Sequence, residues 1–269
     1  MIVRTATEKD IRQFRTKVDR EVSSNLELYS EVDVNRMRND DWFLQRFYER
    51  SANDEDAFEW VLGTMHWKKN VGVHDRKDDE FAKEFYEING MEILGHNNEN
   101  NLVVWGTSKY TRDFSEFRTE IKMFIIHEME YLDCEAGRNG MFLVSDSKYA
   151  GLFSIDLEIS RFTSDILEKH YPGLLRQMLV FNLSMVLDPL FRVILGFMGE
   201  ETRKTVIVVD KKTIFKYLDK AFIPVEYGGY RQDKLIRVPN CSISYLDLKS
   251  ENLTQSQIKR YKKLLEKIQ

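Results

Sequence analysis

The chain has 269 residues, a formal net charge of −4, 42% hydrophobic and 12% aromatic residues, and two cysteines. That apolar content excludes a disordered chain, and the scattered basic residues argue against nucleic acid as a partner. Cys134 and Cys241, far apart in sequence, read as reduced thiols and not as a disulfide framework.

Residues 1–10 carry charges where a secretory signal needs an apolar stretch. No apolar run reaches the roughly 20 residues of a membrane-spanning helix. The expectation is a cytoplasmic protein whose membrane contact is peripheral.

Residues 1–78 read as a helical lead-in. Residues 10–22 place Ile11, Phe14 and Val18 on one face, and 40–50 place Phe43, Leu44 and Phe47 at helical spacing. Asn53 and Asp54 are natural N-caps, with Glu55 and Asp56 suited to a first turn. The helix it opens presents Ala57, Phe58, Val61, Leu62 and Met65 and ends near Lys69.

The pattern changes over 79–235. Short apolar runs at 91–94 and 102–105 flank the polar loop Asn97-Asn98-Glu99-Asn100-Asn101, which predicts a strand pair. A long helix follows at 114–135, with Phe117, Ile121, Phe124, Ile125, Glu128 and Leu132 on its face. Then come a strand at 141–144, a helix at 155–170, a strand at 178–183, an apolar helix at 187–198, a strand at 206–209 and a short helix at 213–220. Strands alternating with helices predict an α/β fold, with a mixed, mostly parallel sheet flanked by helices. The strands are continuously apolar, as strands buried on both faces are.

Residues 236–269 form an extension ending in a helix over 254–269. Ile258, Tyr261, Leu265 and Ile268 line one side. Lys259, Arg260, Lys262, Lys263 and Lys267 outnumber Glu266 on the other. Such a helix lies on an anionic membrane or a partner, or packs on its own domain with a solvated basic face.

The helix at 187–198 is the most informative segment. Leu187, Leu190, Phe191, Val193, Ile194, Leu195, Phe197 and Met198 cover nearly its whole circumference, and Arg192 is its only charge. A helix apolar all round must be buried or meet lipid. This one is too short to cross a bilayer. It reads as a movable lid over an apolar cavity.

Chemistry-bearing motifs are incomplete. His127-Glu128 matches the first half of the zinc pattern H-E-x-x-H, but Tyr131 stands where the second histidine belongs. The run from Gly199 to Thr205 places Arg203 before Lys204, where a phosphate loop needs glycine, and it follows a helix instead of a strand. No dinucleotide fingerprint or nucleophile elbow occurs. Cys134, between Asp133 and Glu135, is a poor nucleophile. The sequence therefore recruits no catalytic residue, metal or cofactor.

Several segments together resemble the CRAL-TRIO (Sec14-like) lipid-binding family over roughly residues 10–235. Asp41, Leu44, Arg46, Phe47 and Arg50, then Asn53 to Phe58, then Trp67-Lys68, follow the order of that family's lead-in. Tyr171-Pro172, the strand Val180-Phe181-Asn182, the apolar helix ending at Phe197-Met198, and the clasp Ile223-Pro224-Val225-Glu226-Tyr227-Gly228-Gly229 follow its later order and spacing. The wording is most similar to the lipid-binding half of motile-sperm-domain-containing proteins. Their motile-sperm domain and membrane anchor are not part of this sequence, and their tethering role is not carried over.

The resemblance implies a protein that holds a lipid or other lipophilic small molecule in an internal pocket and exchanges it with a membrane surface. It implies a pocket lining of Met141, Leu143 and Ser145 on one strand, Met178 and Val180 on the next, and Val206 and Val208 on the third. Phe191 and Ile194 match on the gate helix, where Leu187, Leu190, Leu195 and Met198 complete the gate. Arg203 and Lys204 are the candidate headgroup or membrane contacts. Phosphatidylinositol-binding members carry a glutamate after the Tyr-Pro pair and a lysine near the start of the strand after the gate; here those positions hold Gly173 and Thr205. Gly199-Glu200 replaces the family's Asp-Pro after the gate, which softens the hinge. The competing reading is a non-catalytic protein-interaction module that keeps the fold with its pocket filled.

Overall fold

In the computed structural model the described residues are 4–89, 91–107, 116–148, 150–151, 155–232, 238, 244 and 253–266. Four helices lead: α1 (Glu8–Ser24), α2 (Glu31–Asn39), α3 (Asp41–Arg50) and α4 (Asp54–Val71). Each starts where a short polar side chain accepts from a first-turn N–H: Thr7, Ser30, Asp40 and Asn53 in turn. α4 stops at Gly72, which adopts φ 67°. Their apolar stripes close on one core containing Phe14, Val18, Met37, Leu44, Phe47 and Met65. α2 had no counterpart in the sequence reading, because its nine residues offer too short an apolar stripe to stand out.

The second part runs α5 (Lys83–Asn89), β1 (Glu92–His96), β2 (Leu102–Thr107), α6 (Arg118–Ala136), β3 (Met141–Asp146), α7 (Leu157–His170), β4 (Leu175–Phe181), α8 (Asp188–Phe197), α9 (Glu200–Lys204) and β5 (Val206–Val209). The strands form one sheet in the order β1-β2-β3-β4-β5. β1 and β2 are antiparallel, and every later pair is parallel. The fold is thus the mixed α/β sheet expected.

The larger differences from the sequence reading fall at β4 and after β5. β4 begins at Leu175, three residues before the expected start, because Arg176 and Gln177 carry polar side chains on a paired backbone. It ends at Phe181 because Asn182 turns into the left-handed region, φ 56°. The expected helix over 213–220 is a single 3-10 turn, Ile214–Lys216, set by Asp210, whose carboxylate accepts from the N–H groups of Lys212 and Thr213. Residues 114 and 115, where the long helix was expected to start, lie outside the described residues.

α10 (Gln255–Leu265) packs on its own domain. Tyr261 is fully buried with Phe117, Phe81 and Phe124, while Lys259, Lys262 and Lys263 face solvent. Lys267, Ile268 and Cys241 lie outside the described residues.

Buried charges join the first four helices to α6. Lys68 Nζ lies 2.6 Å from Glu130 Oε2. Arg46 Nη1 lies 2.6 Å from Asp133 Oδ1, and its Nε donates to the Pro172 carbonyl at 2.8 Å. Arg36 reaches both acids, at 3.0 and 3.3 Å. The Tyr171 hydroxyl donates to Glu130 at 3.1 Å. Burial raises the Glu130 carboxyl, but Lys68 and Arg36 outweigh it and hold it below the usual carboxylate range. Such pairs add little net stability, yet losing one partner strands a buried charge. The Tyr-Pro pair therefore sits in a fixed joint between the lead-in and the sheet.

Candidate functional site

Strand alternation gives the sheet two faces, and they are finished differently. One carries Val103, Trp105, Phe142, Val144, Leu179, Phe181 and Val209, packed under Ile214, Leu218, Ile223 and Tyr227 from the segment after β5. This face is solid core. Gly229 locks that cover, since a Cβ there would fall 1.9 Å from the Ile223 carbonyl oxygen. Asp146, at the end of β3, accepts from the Tyr227 hydroxyl at 2.9 Å and from Asn182 Nδ2 at 2.9 Å. Burial and Asp146 push the Tyr227 hydroxyl well above its ordinary range.

The other face carries two cross-strand rows. Val104, Leu143, Met178 and Val206 form one, and Gly106, Ser145, Val180 and Val208 the next. The residues the family resemblance assigned to a pocket wall thus stand side by side on one face. Their surroundings are graded. Met141 is buried with α6 and α7, and Leu143 packs against the same cluster. Val180 is buried, while Ser145, Met178 and Val206 are half-buried and Val208 is 54% exposed. Apolar cover thins from β3 toward β5.

α8 leans against α7, on this same side. Pro189 occupies its first turn, where a missing N–H costs nothing, and Arg192 Nε meets Asp188 at 2.8 Å. Leu187 and Met198, flanking the helix, are buried. Between them no residue is buried: Leu190, Phe191, Ile194, Leu195 and Phe197 are intermediate, and Val193 is exposed. An all-apolar helix was expected to be buried or to meet lipid; here it is anchored at both ends and half-bare between. The loop before it is barer still, with Met185 91% and Val186 64% exposed.

Arg203 donates to the Leu195 and Met198 carbonyls, at 3.2 and 2.9 Å, so it caps the end of α8. Lys204 is held by Glu200 and Glu201, at 3.0 and 2.9 Å. Gly199 takes ordinary φ and ψ, and its N–H donates to Glu168 of α7 at 2.6 Å. That bond ties the hinge to α7.

Other titratable groups are engaged structurally. Asp33, His74 and Glu130 bring ligand atoms within 4.8 Å of one another. The Lys68 ammonium, 3.7 Å from Asp33 and 2.6 Å from Glu130, already supplies the positive charge there. His127 Nε2 lies 2.7 Å from Asp78 Oδ1. Burial raises the Cys134 thiol. His170 stacks on Trp67 with ring centroids 3.7 Å apart, and burial with nearby Lys68 pushes its imidazolium down to about 4. Sequence reasoning gave Glu130 and Asp133 no role and named Lys68 only within the order of the lead-in, because their partners are remote in the chain. The one local signal was three acids, at 128, 130 and 133, in a helix otherwise marked for burial.

A profile of the CRAL/TRIO domain family matches residues 93–229. Patellin-3 of Arabidopsis thaliana is 23% identical over 77% of this chain and 46% of its own length. The phosphatidylinositol transfer protein SFH5 of Cryptococcus neoformans var. neoformans serotype D is 21% identical over 69% of this chain and 73% of its own. The chain thus spans under half of the first relative and nearly three quarters of the second. The crystal structure of Sfh5 superposes with a TM-score of 0.66 at 17% identity, covering 93% of this chain and 98% of that one. It shares the fold.

Proposed function

Because this chain belongs to the CRAL/TRIO domain family, a family of lipid-binding and lipid-transfer domains, we propose that it holds one lipid or lipophilic molecule against the open face of its sheet and exchanges it with membranes through α8. The observation that supports this most is the contrast around Met178, Val206 and Val208. They are apolar, paired across β4 and the edge strand β5, and left without the close cover given to the opposite face at β3 and β4.

The energetics favour a gate. Each methylene kept from water is worth about 0.8 kcal/mol, so a two-chain lipid exposed in transit would cost upwards of about 20 kcal/mol. Cargo must pass from bilayer to pocket without crossing water. α8 offers apolar side chains on every side and few burial contacts to break. Met185 and Val186 place exposed apolar atoms at its start, where they would enter a membrane. Leu187 and Met198 are the proposed pivots. Helices α1 to α4 act as a fixed buttress through the Arg46–Asp133 and Lys68–Glu130 pairs. No helix among the described residues is long and apolar enough to cross a membrane, and the proposed location is the cytoplasm with peripheral contact.

The reading requires no catalytic residue. A relative's name makes phosphatidylinositol one candidate cargo, but Gly173 and Thr205 stand where the family's inositol contacts would be. An interaction module with a filled interior is the lesser reading, since it gives no reason for Met178 and Val206 to remain half-buried.

Fluorescent-lipid transfer between vesicles tests the gate. Phe191→Asp with Ile194→Asp should abolish transfer while circular dichroism and the melting temperature hold. Transfer at the parental rate would overturn the role given to α8.

A further inference from the structure

The helical lead-in carries a cleft that lipid exchange does not use. It opens between the end of α1, the 3-10 turn Leu26–Leu28 and α4, and measures about 440 Å³. That is within the usual size range of small-ligand sites. No lining residue belongs to the sheet or to α8, so the cleft does not rest on the proposed gate. Leu28, Phe58 and Leu62 supply its apolar wall, and Glu21 and Glu59 its charge. The Glu21 carboxylate accepts from Asn25 Nδ2 at 2.9 Å and pairs with no cation among the described residues. Glu59 is exposed and has neither a hydrogen bond nor an ion pair among them. His66, the one basic side chain of the lining, is exposed and its Nε2 meets Asn70 Nδ2 at 3.1 Å. Lys17, whose ammonium stands 4.2 Å from the centre of the Phe58 ring, is paired with Glu55 at 2.5 Å.

Tyr29 is a further unmatched group. It is only 8% exposed, it lines the cleft, and its hydroxyl has no hydrogen-bond partner among the described residues. Burial, followed by Glu21 and Glu59, raises that hydroxyl above its usual range. At neutral pH it keeps its proton, and its oxygen can still accept from an N–H. A hydroxyl buried without a partner costs stability that a ligand atom would restore. Gly63 adds room. It stands inside α4, where glycine is less favourable than alanine, yet nothing lies within 4 Å of the place its Cβ would take. Packing within the chain therefore does not call for glycine, and the bare backbone widens the cleft.

We propose that this cleft binds an aliphatic ammonium, its nitrogen held by Glu21, Glu59 and the Tyr29 hydroxyl and its methylenes laid against Leu28, Leu62 and the open backbone of Gly63. An ammonium's N–H donors suit two carboxylates and a hydroxyl oxygen, and two carboxylates also match the charge of a diamine. Aromatic faces attract such a cation as well, as Phe58 already does with Lys17. The ammonium belongs either to a free polyamine or to a lysine side chain of a partner protein, whose flanking apolar residues would meet the exposed Leu26.

The test is an amide NMR titration of the full chain, following Tyr29 and Gly63, with three probes: cadaverine, the blocked tripeptide acetyl-Leu-Lys-Leu-amide, and pentanediol, which keeps the stem and lacks the charge. Saturable shifts with cadaverine or the tripeptide, and none with pentanediol, support the site, provided that binding weakens about tenfold or more in Glu21→Gln/Glu59→Gln. Both carboxylates are on exposed residues, so this double variant should melt like the parent. Tyr29→Phe keeps the ring and should weaken binding severalfold. Gly63→Leu fills the cleft and favours the helix; it should melt no lower than the parent and bind neither cation. Tighter binding of cadaverine assigns a free polyamine, and tighter binding of the tripeptide assigns a partner's lysine. Phe191→Asp/Ile194→Asp, which tests the gate, leaves this cleft intact and should bind like the parent. If neither cation gives a saturable shift, if pentanediol moves the amides as much, or if Glu21→Gln/Glu59→Gln binds like the parent, the proposal is overturned.

Discussion

On one side of the sheet Val144 and Leu179 lie fully buried beneath Ile214, Ile223 and Tyr227. On the other side, Met178 and Val206 are half-buried and Val208 faces solvent. Residue types do not distinguish these faces, because parallel strands are apolar on both. What differs is the cover. The closed face is capped by the segment that directly follows β5 and is pinned by Gly229 and the Asp146–Tyr227 bond. The open face is packed at β2 and β3 by α6 and α7 and has α8 leaning in only from the side. The two faces differ in what lies above them, and that difference lives in tertiary packing.

The comparison can be broken by substitution. The largest contrast is expected between Phe181→Ala and Met178→Ala. The first opens a cavity in closed core and should cost about 3–5 kcal/mol in urea unfolding; the second removes a side chain already half in solvent and should cost about 1 kcal/mol. Equal costs would mean the faces are packed alike. Asp133→Leu should match the larger figure, at about 3–5 kcal/mol, because it leaves the Arg46 guanidinium buried without its carboxylate. A loss below about 1 kcal/mol would show the joint to be dispensable.

Smaller effects sharpen the picture. Phe191→Asp with Ile194→Asp should change unfolding free energy by about 1 kcal/mol, since both side chains are already half in solvent; a loss of about 3 kcal/mol or more would place α8 in the closed core. His170 gives a pH signature. Its imidazole is held neutral by burial in the folded chain and protonates more readily when unfolded, so its folded pKa is the lower one. Its contribution is complete above about 6.5 and is lost as pH falls toward about 4. His170→Gln should therefore flatten the decline in melting temperature between pH 7 and 5. An unchanged slope would show that His170 does not set it.

Much of the fold was legible from local pattern. The cap at Asn53, the strand at 206–209 and the apolar helix followed from periodicity and end chemistry. β4 was misplaced because Arg176 and Gln177 look like loop residues. α2 and α9 were too short to give a period. At the site, alternation narrowed Met141 to Ser145 to two candidate faces and could not choose between them. The even exposure of α8 was hidden because composition states what a helix prefers to touch and not what the chain supplies.

The central claim is that the face bearing Met178 and Val206 is left open to receive cargo. Native mass spectrometry after incubation with vesicles tests it most directly, comparing the parent with Met178→Trp/Val206→Trp, which fills that face. The account predicts one lipid per parent chain and none on the filled variant, with the variant's melting temperature unchanged or higher. A filled variant that carries the same lipid load as the parent would contradict it.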